Sequence, residues 1–210
     1  MKFLITAGPT REPLDPVRYL TNRSSGRMGY ALAGAARHEG HEVLLISGPT
    51  TLDVPPGVDF IQVETAQQMY DAVHDLIKGV DVAILCAAVA DYRPVACAEQ
   101  KIKKSADKLV LELERTPDIL GSMRTVFGFD GKLIGFAAET NDVIAYGRDK
   151  LVRKQCDMIV ANDVSKPGIG FDSRENEVIL IFPDKEVHLE QDTKERIAMQ
   201  IIEHATVIEA

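Results

Sequence analysis

The sequence is poor in several features that would decide its class at once. It has three cysteines, Cys86, Cys97 and Cys156, with no CxxC spacing. An odd number so placed argues against a disulfide framework and against a zinc site. Buried or idle thiols in a reducing compartment are the expectation. No apolar run is long enough to span a bilayer, so no membrane partner is expected. The opening residues, MKFLITAGPTREPLD, set a short apolar segment before prolines and charges. They read as a first strand rather than a targeting peptide, which places the protein in the cytoplasm. Positive charge is in deficit, with 24 Lys and Arg against 32 Asp and Glu and a net charge of −8. That is the reverse of a nucleic-acid binder's signature. No Ser-His-Asp or Cys-His pair is evident either, so no nucleophilic side chain announces itself.

What is present is a 210-residue chain, 45% hydrophobic and 27% charged, enough for one sizeable α/β domain with its own core. No low-complexity linker divides it, so residues 1–210 form one domain. KFLIT (2–6), EVLLIS (42–47), VDFIQV (58–63), VDVAILCAA (80–88), LVLELE (109–114), KLIGFAA (132–138) and DMIVAND (157–163) read as strands. The most continuous apolar run, 80–88, is the expected central parallel strand. Helices are predicted over 28–39, 66–78 behind a Thr65/Gln68 capping box, 117–127 opened by Pro117, 141–155, and 193–205 capped by Asp192 with Glu195. Alternating strands and helices imply a Rossmann-like parallel sheet flanked by helices. VILIF and EVHL, around Pro183 and Asp184, read as a hairpin within a small antiparallel appendage near 165–190.

In such sheets ligands bind beyond the carboxyl ends of the strands, and the motifs fall there. The dinucleotide fingerprint is missing. GPTREPLDPVRYLTN separates the first strand from the Gly-rich helix start, and the second strand ends Ile46, Ser47, Gly48 without an acid for a ribose. TNRSSGRMG (21–29) instead packs one Asn, two Arg, two Ser and two Gly ahead of a helix. Free N–H groups there, with the hydroxyls of Ser24 and Ser25, close approach at Gly26 and charge from Arg23 and Arg27, can hold an anion. A Ser N-cap with surface arginines is the structural alternative. The Asn22 amide can donate to an oxyanion, or fix a turn. KIKK (101–104) can neutralise polyphosphate, or only solubilise a loop. Asp91 in AAVADYR can orient a hydroxyl, help to place a metal, or cap a turn.

GPTREPLDPVRYLTNRSSGRMG, AAVADYRP, KIKK, TPDIL, GFAAETND, the Lys150/Lys154 pair and ANDVS stand in this order. Together they resemble the bacterial phosphopantothenoylcysteine synthetase family over nearly the whole chain. The resemblance implies a ligase joining 4'-phosphopantothenate to L-cysteine with CTP through an acyl-cytidylate, in coenzyme A biosynthesis. Lys101 would support cytidylate formation and Asn22 the second half-reaction. Ser24, Ser25, Gly26, Arg27, Ala87 and Ala88 would line the substrate or intermediate site. Asp91, Lys101, Pro117, Asp118, Ile119, Leu120, Phe136, Lys150 and Lys154 would contact CTP. Mg²⁺ is expected with the triphosphate, held mostly by phosphate oxygens and water and by no dedicated protein cage. The family is dimeric, with 165–190 as the candidate surface. Its members are usually fused to a flavin-dependent decarboxylase half that this sequence does not contain. No flavin is therefore expected, and a separate decarboxylase is a candidate partner. An NAD(P)-dependent oxidoreductase and a non-catalytic nucleotide-binding module remain the rival readings.

Overall fold

The computed structural model describes residues 1–103, 108–165 and 173–208. The chain begins with β1 (Lys2–Ala7), a hairpin of β2 (Arg11–Asp15) and β3 (Arg18–Thr21), and helix α1 (Arg27–His38). It continues through β4 (Glu42–Ser47), β5 (Asp59–Gln62), α2 (Ala66–Leu76) and β6 (Val82–Leu85). A ribbon of β7 (Tyr92–Pro94) and β8 (Leu113–Arg115) precedes α3 (Ile119–Thr125), β9 (Lys132–Glu139), α4 (Val143–Arg153) and β10 (Met158–Asp163). It ends with β11 (Glu175–Ile181), β12 (Glu186–Thr193) and α5 (Lys194–Val207).

Eight strands form the main sheet in the order β12-β11-β10-β9-β6-β1-β4-β5. All neighbours from β10 to β5 are parallel. The expected antiparallel segment is realised as β11 and β12, which extend this sheet beyond β10. Alternation sorts the strand side chains onto two faces. Phe3, Ile5, Val43, Leu45, Val82, Ile84, Met158 and Val160 pack under α1 and α5. Leu4, Leu44, Ile46, Ala83, Leu85, Leu133 and Ile159 face α2, α3 and α4. Fully burying one such side chain contributes about 1.5–3 kcal/mol relative to exposure. β6, buried at every residue and central as expected, is only four residues long. Its apolar sequence continues into the loop that walls the site.

Three local expectations need correction. The β2–β3 hairpin was not expected, because Pro13, Pro16 and the charges hide its alternation. Asp15 makes its turn, accepting from the backbone N–H groups of Val17 and Arg18 at 2.9 Å each. The 109–114 strand shrinks to Leu113–Arg115, because its only partner among the described residues is the three-residue β7. Helix α5 is capped by Thr193, whose hydroxyl accepts from the Arg196 N–H, and not by Asp192. The Thr65/Gln68 capping box of α2 is present in both directions.

Sheet order reverses about β1. The chain first moves from β1 to β4 and β5 on one side, then to β6 and β9 on the other. The crevice beyond the carboxyl ends of β1 and β6 is therefore the topological switch point, where a ligand is expected.

Candidate active site

Beyond β1 the two GPT turns lie against each other. A Cβ on Gly48 would sit 1.8 Å from the Pro9 carbonyl oxygen, so only glycine permits this crossing. The loop after β6 is pinned to the same place. Ala88 N–H donates to the Gly8 carbonyl at 2.9 Å, Ala90 N–H to Thr10 Oγ1 at 2.9 Å, and Ala87 N–H to Thr6 Oγ1 at 3.2 Å. Asn22 closes the loop from the other side, its Nδ2 donating to the carbonyls of Ala88 (3.2 Å) and Val89 (3.0 Å). The amide nitrogen is thus spent on the chain itself. Its Oδ1 is the atom left to meet a ligand, as an acceptor.

Helix α1 begins without a side-chain cap. Its N-cap is Gly26, at φ 78°, and Ser24 Oγ serves the Gly26 N–H at 3.3 Å instead. The expected alternative of a Ser N-cap is therefore not the arrangement. The first-turn N–H groups, from residues that line a cavity, lack intrahelical acceptors and point a positive dipole end at it. This is the geometry of an anion site.

On the far face of the sheet a second polar group forms. Asp118 caps α3, accepting from Gly121 N–H at 2.9 Å, and also pairs with Lys154 Nζ. Burial pushes the Asp118 carboxyl up, but the Lys154 hydrogen bond, the Gly121 N–H and the charges of Lys154 and Arg153 outweigh it and hold it below its ordinary value. Lys150 Nζ donates to the Phe136 carbonyl at 2.7 Å. Burial lowers its pKa, opposed by Glu139 and assisted by Lys154 and Arg153. Cys86 is no nucleophile. Burial pushes its thiol up to about 12, against the pull of the Lys194 charge.

These groups share one open cavity of about 810 Å³, a size that suits a small-molecule site. Asn22, Ser24, Ser25, Gly26 and Arg27 line it from the α1 side. Ala87, Ala88 and Asp91 line it from the β6 loop. Pro117 to Leu120, Phe136, Lys150 and Lys154 line it from α3, β9 and α4. Lys101 alone of the predicted residues stands apart. It is exposed and outside the cavity wall. Its neighbour Ile102 is tied to the β2–β3 hairpin, by its N–H to Asp15 (3.1 Å) and its carbonyl to Arg18 (3.0 Å). The Arg18 guanidinium holds the Asp15 carboxyl well below the usual carboxylate range. Lys104, last of KIKK, lies outside the described residues.

Sequence reasoning missed Asn162, Asn176 and Lys194, which also line the cavity. One signal was available for Lys194. It is the first residue of a helix, where a cation runs against the dipole. Among the described residues the cavity wall carries two carboxylates, Asp91 and Asp118, and no cluster of three His, Cys, Asp or Glu that could hold a metal.

Fold and site together define a class: a doubly wound α/β domain with a cavity at its switch point, walled by a helix N-terminus and by basic side chains. Residues 1–208 match the model of the DNA/pantothenate metabolism flavoprotein C-terminal domain, and the chain belongs to that family. It is 50% identical, over 203 residues, to the coenzyme A biosynthesis bifunctional protein CoaBC of Vibrio parahaemolyticus. The match covers 96% of this chain and 51% of that protein, so the chain spans about half the length of such relatives. The crystal structure of the C-terminal domain of a coenzyme A biosynthesis bifunctional protein CoaBC superposes with a TM-score of 0.82 at 45% identity, covering 97% of this chain and 92% of the other. The DNA/pantothenate metabolism flavoprotein from Streptococcus pneumoniae superposes with a TM-score of 0.86 at 26% identity, covering both chains fully. The family resemblance carried by the motifs agrees with this match.

Proposed function

We propose that this domain is the phosphopantothenate–cysteine ligase of coenzyme A biosynthesis, using CTP. The observation that carries the reading is the convergence of every candidate site residue that the resemblance named, except Lys101, on one cavity at the switch point. The 4'-phosphopantothenate carboxylate oxygen attacks the α-phosphate of CTP, forming an acyl-cytidylate as the bond to pyrophosphate breaks. The cysteine amine then attacks the acyl carbon. The carbon–oxygen bond to CMP breaks, and the amine proton passes to solvent. Neither step requires a nucleophilic side chain, and Cys86 does not supply one. Catalysis of this kind rests on positioning and charge neutralisation.

In this reading the α1 N-terminus holds phosphate, and Lys150, Lys154, Phe136 and the Pro117 to Leu120 turn hold the nucleoside end. Asn22 keeps the Ala88–Val89 loop in place and offers Oδ1 to the incoming amine; donation to the oxyanion would require one of its two loop bonds to open. Mg²⁺ bound with the nucleotide would supply positive charge to the phosphates. A wall with Asp91 and a paired Asp118 fits a cation borne mainly by its ligand. The family model matched here is that of a C-terminal domain, which accords with the expectation of no flavin. A separate decarboxylase remains a candidate partner. No helix among the described residues is long and apolar enough to cross a membrane, in keeping with the proposed cytoplasmic site of action.

A homodimer belongs to this reading, but its candidate surface moves. Part of 165–190 lies outside the described residues, and the inner side chains of β11 are buried in the main sheet. Exposed apolar side chains gather instead in and beside the β7–β8 ribbon, at Tyr92, Val95, Leu109, Val110 and Leu113. Such a patch on a short open ribbon needs covering.

Pyrophosphate release tests the ligase directly. It should require phosphopantothenate and CTP, with ATP as the comparison, and cysteine should then release CMP. Release that ignores phosphopantothenate, or nicotinamide binding without CTP binding, would refute the reading. Lys101→Gln should keep the fold, because the residue is exposed, yet lose pyrophosphate release. A fully active Lys101→Gln protein would remove Lys101 from the mechanism.

A further inference from the structure

Lys101 is exposed and lies outside the cavity wall, so its place is set by the backbone on either side of it. That backbone is tied to the β2–β3 hairpin at two points. Ala98 N–H donates to the Leu14 carbonyl at 3.0 Å. Ile102 is held through both of its backbone groups, its N–H donating to Asp15 Oδ2 at 3.1 Å and its carbonyl accepting from Arg18 Nη2 at 3.0 Å. Lys101 sits between these ties, directly beside the second.

The hairpin is itself tied down at the cavity. At its root, Thr21 Oγ1 donates to the Thr10 carbonyl at 2.7 Å, and Thr10 Oγ1 accepts from Ala90 N–H in the loop that walls the site. Asn22 follows directly after β3 and clamps the same loop. The hairpin therefore runs as a bracket from the cavity wall at its root to the neighbour of Lys101 at its tip.

The tip carries more than its turn requires. Asp15 is a carboxylate only 3% exposed. The turn uses Oδ1 alone, which accepts from Val17 and Arg18 N–H. An asparagine would accept those two bonds without burying a charge. Oδ2 accepts instead from the Arg18 guanidinium and from Ile102 N–H. Burying a carboxylate is costly unless it is paired and hydrogen-bonded. Here the charge orients Arg18, and the two side chains together hold both backbone groups of Ile102. The charged half of the cluster thus serves the segment that carries Lys101, not the turn.

We propose that Asp15 is a positioning residue for the first half-reaction: with Arg18 it fixes the 98–102 segment and so sets where Lys101 presents its charge. This rests on the ligase reading and on the part that reading gives Lys101. It adds Asp15, which is not in the cavity wall, to the residues on which pyrophosphate release depends.

Release of pyrophosphate from CTP labelled in its terminal phosphates tests it, in wild type, Lys101→Gln, Asp15→Asn and the double variant. Asp15→Asn should lower kcat for this step roughly 10- to 100-fold, since a displacement of about 1 Å at a reacting group costs up to about 10²-fold. KM for CTP should change far less, because the nucleotide wall is untouched. In the Lys101→Gln background Asp15→Asn should cost nothing further, since a positioning residue has no effect once the group it positions is gone. A purely structural Asp15 would instead weaken CTP binding along with the fold, and its loss would multiply with that of Lys101→Gln. Arg18→Met removes the carbonyl tie through an exposed side chain, and should give the same non-additive pattern even where Asp15→Asn fails to fold. Multiplicative losses, or full activity of Asp15→Asn and Arg18→Met beside an impaired Lys101→Gln, would overturn the assignment and leave the ligase reading intact. Wild type that releases no pyrophosphate with phosphopantothenate would refute the ligase reading itself.

Discussion

The two poles of the cavity are built from different groups. At the α3–α4 pole the cations are answered by the protein: Lys154 by Asp118, Lys150 by the Phe136 carbonyl. At the α1–α5 pole the wall presents the start of α1, which has no side-chain cap, with Ser24, Ser25, Gly26 and Arg27. A neutralised pole can grip a base and sugar through shape and hydrogen bonds without demanding a counter-charge. The free N–H groups at the start of α1 suit an anion, and in the proposed reading that anion is a phosphate chain. In the proposed reading a nucleotide would lie with its phosphates toward α1 and its base and sugar toward α3 and α4.

Variants can break or sharpen this contrast. The largest effect is expected midway between the poles, at Asn22. Asn22→Asp sets a negative charge against the Ala88 and Val89 carbonyls and alters the group facing the amine. It should slow acyl transfer to cysteine roughly 10²–10³-fold, the range for one lost active-site hydrogen-bonding group. The first step should continue, so rapid quench should show acyl-cytidylate accumulating. Equal slowing of both steps would reduce Asn22 to a loop clamp.

Next comes the contrast itself. Lys150→Met at the nucleoside pole should weaken CMP and CTP alike, by roughly 10-fold or more for a lost charged hydrogen bond. Arg27→Met at the other pole should weaken CTP with CMP spared. If both variants give the same pattern, the poles are not distinct.

A smaller effect tests the helix start. Gly26→Ala puts a Cβ at φ 78° and 2.7 Å from Thr50 Cγ2. It should cost about 1–3 kcal/mol of stability by denaturant titration, and should weaken triphosphate binding more than CMP binding. The smallest concerns pH. The folded-state pKa of Asp15 is depressed, chiefly by its Arg18 hydrogen bond. The stability it lends is present above its unfolded value, about 3.9, and is lost as pH falls through the lower folded value. Asp15→Asn should flatten that acid limb in an unfolding series, and free the 101–103 segment to faster amide exchange.

Much of the frame was legible in the chain. KFLIT and EVLLIS, each stopped by Gly-Pro-Thr, declared parallel strands because an apolar run and a rigid turn are local properties. The Thr65/Gln68 cap and the acid-free start of α1 were legible for the same reason. The resemblance named the residues of the α3–α4 pole, and the structure gathers them in one wall. What tertiary structure alone decided is the α1–α5 pole. Asn162, Asn176 and Lys194 sit on three separate elements, and Lys194 is 166 residues beyond Met28; no local spacing can announce that they meet. Only the reversal of β11 and the return of β12 bring the start of α5 to the edge where α1 begins. The hairpin at Asp15 and the separation of Lys101 from the cavity are of the same kind. Each depends on hydrogen bonds between distant segments, which the order of residues permits but does not spell out.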